Sequence, residues 1–306
     1  MNDYGPQTLL EQTPAYPTRL FQFADDVLEP FGAPELLFAA FLALLALLIL
    51  AEKHRPARQP DRSIVRRSYT VNLGAFLFND LFLSLCQAPM LYLIAARHSS
   101  HGLLSDSPQG PTKLVAALLL LDLTLFAWHW LCHHCDALWV FHKVHHSDLS
   151  VNVTTGLRYH LGELFLEVVV RSLFCVVAGV DFETLLLCQG LMSLFVLFHH
   201  GNLRLPGEAW LSYLLVTPRL HRVHHSALRG EHDSNYGAIL SVWDRLFGVL
   251  RTGEPRAIGL QGVAEQGFFD LLKYGCTRKI AFKPEESMDK MGSPLRVLAQ
   301  RKASSR

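Results

Sequence analysis

The sequence predicts an all-α integral membrane protein, a bundle of three to five membrane helices joined to a histidine-rich cap. Three observations predict it. Half of the residues are hydrophobic and only 18% are charged, a balance on the membrane side of the average soluble domain. Apolar runs recur at lengths suited to a bilayer. Thirteen of the sixteen histidines fall between His129 and His232, directly after the third such run.

About 20 residues of helix cross a ~30 Å hydrocarbon core. The run from Leu36 to Ala51 carries no charge for 16 residues and spans with its flanks. Val71 to Ala96 spans with Asp80 as its one charge, and Leu114 to Trp128 with only Asp122. Leu164 to Phe198 is apolar but interrupted by Glu167, Arg171, Asp181 and Glu183. It reads as a hairpin of two helices turning near Gly179 and Asp181, either crossing the bilayer or dipping into it. From Gly201 the chain is polar enough for an extramembrane cap, and Gly253 to Arg306 reads as a tail. After Cys276 that tail holds eight Lys/Arg against three acids, which suits an anionic membrane surface or a solvated segment. The expected division is 1–113 for an N-terminal segment with two membrane helices, 114–253 for the histidine-bearing domain and 254–306 for a cytosolic basic tail.

A net charge of +1 argues against nucleic acid as a partner. Six scattered cysteines, several in apolar runs, do not form the pattern of a secreted disulfide framework, so they read as reduced thiols. The acidic, polar start lacks a signal-peptide pattern. The loop from Glu52 to Thr70 carries Lys53, Arg55, Arg58, Arg62, Arg66 and Arg67, and basic loops stay cytoplasmic. Counting spans from there brings every histidine cluster to the cytoplasmic face. The sequon at Asn152 then lies on that side and is expected to be unglycosylated.

His129 and His133 stand four apart at a helical end, on one face. His142, His145 and His146 in FHKVHHS share a face at i, i+3 and i+4, and the string recurs as LHRVHHS with His221, His224 and His225. Two copies of HxxHH plus the first pair make eight candidate ligands. A zinc site uses four at most, so two metals sharing the imidazoles is the simpler solution. Nitrogen-rich coordination suits iron, copper, nickel or zinc alike. Asp122, seven residues before His129 on the same face, is placed either to orient a ligand imidazole or to bond between helices. Glu163, Asp233 and Asp244 are further carboxylate candidates for that orienting role. His134 is offset by about 100° from His133, which makes it a bystander, as are His54, His98 and His101 in loops. His199 and His232 sit beside motif histidines without matching them.

The strings AWHWLCH, FHKVHHS, RYHLGE, FHHGNLRLP, TPRLHRVHHS, DSNYG and WDRLFG occur in the order found in the fatty acid hydroxylase and sterol desaturase superfamily, and the chain resembles that superfamily from Leu114 to Gly253. The resemblance implies a cytosolic di-iron centre working with dioxygen and an external electron donor, a b-type cytochrome or a ferredoxin with its reductase. It places His129, His133, His142, His145, His146, His200, His221, His224 and His225 at ligand positions and adds His160, matched to the RxH histidine, as a further metal ligand. It also draws Asn202 and Asn235, within the matching strings, into the surroundings of the metal. Trp130 stands where many relatives have Arg, and Leu161 where they have Pro; both bear on substrate contacts rather than on ligands. The implied reaction is hydroxylation or desaturation of a lipid that enters from the bilayer. A membrane metal transporter would carry its ligands near the midplane, and a zinc hydrolase would carry a glutamate between its histidines; neither pattern is present.

Overall fold

The computed structural model describes residues 33–277, so the acidic start and the basic stretch after Cys276 lie outside the described residues. Within them the chain is helical, with no strand and three isolated bridges. Helix α1, Ala33–His54, leads into α2, Arg62–Phe82, which continues through a π turn, Leu83–Gln87, into α3, Ala88–His98. Helix α4 is Pro111–His134 and α5 Asp136–His146; a 3₁₀ turn, Val153–Leu157, precedes α6, Leu161–Ala178, and α7, Phe182–His200. Short helices complete the cap: α8 Glu208–Leu211, α9 Pro218–His224, α10 Arg229–His232, α11 Val242–Leu246 and α12 Phe268–Tyr274.

Four stretches are long and apolar enough to cross a membrane: Leu36–His54, Arg62–His98, Pro111–His134 and Phe182–His200. Helix α6 carries Glu163, Glu167 and Arg171 and is not among them. The expected break into two helices is present, α6 closing at Gly179 in the left-handed conformation (φ 66°), where a residue without Cβ is favoured, although the two helices pack mainly on other elements rather than on each other. Asp181 then caps α7 by accepting from the Thr184 amide at 2.8 Å, satisfying a donor the helix start leaves free. The bundle packs on a core that includes Leu91, Leu121, Phe174, Leu185 and Met192. Its outer surface keeps Leu36, Leu47, Leu77 and Leu81 more than 60% exposed, which is the apolar surface that lipid rather than water would cover.

The basic loop and the histidine cap occupy the same end of the bundle. Glu52 accepts from the Val153 and Asn202 amides at 2.7 and 2.6 Å, and the Ala57 amide donates to the Asn202 carbonyl. Asn202 exchanges hydrogen bonds with the Arg58 backbone. Asn152 is buried, its amide nitrogen bonded to Ser68 and Ser150, so the sequon presents no free amide.

Two features differ from the sequence reading. Residues 254–277 are not a detached tail: Arg58 bonds the Pro255 carbonyl, the Gly259 amide donates to His225, Gln266 accepts from Ser147 and Arg158, and Leu271 is buried against Val71 and Val144. The cap is also not uniformly polar. Trp210 (81% exposed), Tyr213, Leu214, Leu246 and Phe247 are exposed together, tied by Arg245, which bonds the Ser212 carbonyl and covers the Tyr213 ring. Phe247 stacks on Phe126 of α4 at 5.2 Å, so this surface continues the apolar face of a membrane helix. Exposed aromatic rings beside an apolar helix face suit the membrane–water interface. In vesicles containing brominated phospholipid, tryptophan quenching should therefore shrink measurably on Trp210→Phe; equal quenching would place Trp210 in water.

Candidate metal centre

The helix ends deliver the histidines. Helix α4 brings His129 and His133, α5 brings His142, His145 and His146, α7 ends on His200, and α9 brings His221 and His224 with His225 as its cap. Their donor atoms form two groups, each within 4.8 Å internally: His129, His133, His142, His146 and His224, then His145, His200, His221 and His225. These are the nine residues that match ligand positions in the sequence strings. Gly156 permits the approach at one point, since a Cβ there would sit 3.1 Å from Nδ1 of His200.

Backbone and carboxylate oxygens orient the rings. Nδ1 of His129 lies 2.9 Å from the Tyr236 carbonyl, that of His145 3.3 Å from Arg158 O, that of His200 2.7 Å from Val196 O, and that of His224 2.7 Å from Ser234 O. Glu163 takes Nδ1 of His142 at 2.7 Å. An oxygen of this kind only accepts, so each Nδ1 carries the hydrogen and each Nε2 presents a lone pair. Yet Nε2 of His129 and His142 face each other at 3.1 Å, and those of His145 and His200 at 3.0 Å. Two lone pairs at that distance repel unless a cation lies between or beside them. In addition, Nε2 of His133 and of His224 are buried without a hydrogen-bond partner among the described residues. Metal ions answer both facts, and the donor set fits them.

Burial and neighbouring rings hold His145, His146, His221, His224 and His225 well below the usual histidine pKa, and burial brings His232 down to about 3. Neutral imidazole is the ligand form. The unfolded chain takes up protons near pH 6.5 whereas these folded rings do not, so it binds more protons below that pH. Stability of the metal-free protein should therefore decline as pH falls from about 6.5 toward the lowered values. Helical circular dichroism against temperature at a series of pH values measures it; a midpoint unchanged between pH 7 and 5 would contradict it.

Residues 114–249 match the fatty acid hydroxylase family model. This stretch is similar to the fatty acid hydroxylase family. Among the relatives of this chain are ornithine lipid hydroxylase OlsE of Rhizobium tropici, 30% identical over 57% of this chain and 55% of that protein, and alkylglycerol monooxygenase of Homo sapiens, 28% identical over 48% and 33%. Cholesterol 25-hydroxylase of Homo sapiens is 32% identical over 47% and 53%. The matches thus span about half, or less, of the length of these relatives. No solved structure matches the chain.

Other residues of the matching stretch take places that the spacing does not disclose. His160 lies outside both donor groups: its Nδ1 accepts from the Gly162 amide at 3.0 Å, capping α6, and its Nε2 donates to the Leu272 carbonyl at 3.2 Å. Both ring nitrogens are therefore engaged by backbone. Asp122 touches no imidazole. It accepts from the amides of Ile239 and Leu240 and from the Trp243 indole at 2.8–3.0 Å. Asp244 accepts from the amides of Tyr236 and Gly237, and burial raises its pKa to about 7. Both carboxylates thus hold the loop whose Tyr236 carbonyl orients His129. Asp233 lies 3.4 Å from Nδ1 of His133. Asn235, at φ 54°, bonds Leu220 and Arg251, and Asn202 bonds Arg58; neither contacts a donor ring.

His134 is exposed and stacked on Trp130 at 4.2 Å. His232 and His199, by contrast, are buried. His232 faces His133 at 4.7 Å and His146 at 4.3 Å, and together with His133 and Asp233 it offers a further set of close donors, as do Cys132, His142 and Glu163. His199 gives Nδ1 to the Ala238 carbonyl and lies 4.1 Å from His221. Glu163→Gln should lower metal affinity by about 10- to 100-fold, the usual effect of losing a carboxylate behind a ligand histidine. Competition against a chelator would measure it, and an unchanged affinity would remove Glu163 from that role.

Proposed function

We propose that this chain is a membrane lipid hydroxylase with a di-iron centre, using dioxygen and an external electron donor. A single observation supports it most: a cavity of about 270 Å³ runs from His129, His142, His145 and His200 to Phe41, Leu125 and Met192 of the membrane helices. Hydrocarbon in that cavity would have one end at the nitrogen donors. The relatives named for hydroxylating an ornithine lipid, an alkylglycerol or cholesterol support a lipid substrate.

The first donor group would hold one iron and the second the other, with His232 beside the first. Iron would supply the oxygen activation that side chains do not provide. The balance is that of a monooxygenase: one oxygen atom enters a C–H bond, the other leaves as water, and the donor gives two electrons, with two protons taken up. The protein's share is position and exclusion of water. Glu163, Tyr236 and Arg158 keep the Nδ1 hydrogens directed away from the centre, leaving each Nε2 to the metal. The apolar walls from Leu125, Leu164, Met192 and Val196 align the chain and keep water from the site.

The shared end of basic loop and histidine cap supports a cytoplasmic active site, with 114–253 as the catalytic unit. A b-type cytochrome, or a ferredoxin with its reductase, would reach it there. Iron analysis of the purified protein, with oxygen uptake on adding reductant and membrane lipid, tests the reading. Two irons per chain with lipid-dependent uptake is expected; one zinc and no uptake would contradict it.

A further inference from the structure

The cavity is lined by polar side chains besides the histidines. Gln87, Arg171 and Gln189, from three different helical segments, line the same space as the histidines. Arg171 lies eight residues along α6 from Glu163, about 12 Å of helix, and Gln189 lies eleven residues from His200 along α7, about 16 Å. On the third wall, Asn79 donates to the Tyr159 carbonyl at the histidine end, and Gln87 follows it by eight residues. Polar groups in a largely apolar cavity are costly unless something pairs with them.

The backbone is adapted to place them. The π turn Leu83–Gln87, closed by the Ala88 amide donating to the Leu83 carbonyl, inserts one residue into the helix, so that Gln87, eight residues after Asn79, returns to the same face and both line the cavity. Such π segments recur at functional sites. The amides of Gln87 and Gln189 form no side-chain hydrogen bond with another described residue, although both are partly buried. Arg171 binds one oxygen of Glu167 through Nε and Nη2, which neutralises its charge, while Nη1 is buried without a hydrogen-bond partner among the described residues. The cavity thus offers N–H donors around a guanidinium already paired with a carboxylate. An uncharged oxygen acceptor matches it; a second carboxylate or a phosphate would meet Glu167.

Resting on the hydroxylase reading, we propose that Gln87, Arg171 and Gln189 bind a neutral oxygen, a hydroxyl or a carbonyl, on the lipid substrate. The hydrocarbon to be oxidised then lies toward the histidines. The substrate class is a lipid with an uncharged oxygen function held apart from the reacting carbon, rather than one recognised by a charged headgroup.

The test uses the full chain in detergent and three probes of equal chain length, dodecanol, dodecanamide and dodecane, with apparent affinities taken from thermal stabilisation. The wild type should bind at least one oxygenated probe about tenfold more tightly than dodecane, as one buried hydrogen bond allows, and the better of the two identifies the acceptor as hydroxyl or carbonyl. The double variant Gln87→Leu with Gln189→Leu should lose that preference. Should it fail to fold, the paired variant Arg171→Met with Glu167→Leu, which strands no charge, should reduce it. A wild type without preference, or variants that keep it, would overturn the proposal. Failure of the hydroxylase reading is separable: the preference would persist while no cellular lipid gains oxygen.

Discussion

Alanine at His145 or His224 is expected to abolish turnover and deplete bound iron, whereas alanine at His134 leaves both close to wild type. The two residues represent the two donor groups. Each has its Nδ1 tied to a backbone carbonyl, at 3.3 Å for His145 and 2.7 Å for His224, so each ring is fixed in the orientation that aims Nε2 inward. Deleting either removes one of the nine nitrogen donors that the two groups bring together. His134 turns its ring away onto Trp130 and bonds the Trp130 carbonyl. Iron content and oxygen-dependent product formation measure the difference. If His134→Ala loses iron as completely as His145→Ala, the helix end unwinds on binding and the first motif acts as His129 with His134.

Asp122→Ala is expected to destabilise the fold by on the order of 3 kcal/mol, since it leaves buried N–H groups of Ile239, Leu240 and Trp243 without an acceptor. Asp122 is 1% exposed, so water cannot readily replace the carboxylate. Activity should fall as well, because the loop that Asp122 holds carries the carbonyl orienting His129. A thermal midpoint in detergent close to wild type would show that the loop is held without Asp122. Rescue of iron binding by Asp122→Asn, which keeps one acceptor oxygen, would separate this anchoring role from a requirement for charge.

The convergence of the motif histidines was legible because helical spacing is periodic: residues three and four apart share a face wherever the segment is helical. Three of the four apolar stretches were legible from length and composition, whereas the fourth, Phe182–His200, lay within a charge-interrupted run whose crossing was left open. What holds the rings was not. Four of the five close Nδ1 acceptors are backbone carbonyls, of Tyr236, Arg158, Val196 and Ser234, and every residue has one. Asp122 occupies the helical face that the spacing assigns it, but it meets the loop before it meets a ring. His160 matches a motif string and yet serves as a helix cap, because both of its nitrogens find backbone partners first. His232 and His199 enter the buried cluster through short tertiary contacts that no sequence period encodes. The exposed surface of Trp210 and Phe247 escaped notice because two segments distant in sequence build it, neither apolar enough alone to be read as membrane-bound.

The most direct test of the central claim is lipid mass spectrometry of cells expressing the wild-type chain against cells expressing His145→Ala. The hydroxylase account predicts that one lipid class gains a single oxygen atom in the wild-type cells alone. Identical lipid profiles in the two would contradict it, and a loss of two hydrogens without oxygen gain would make the protein a desaturase instead.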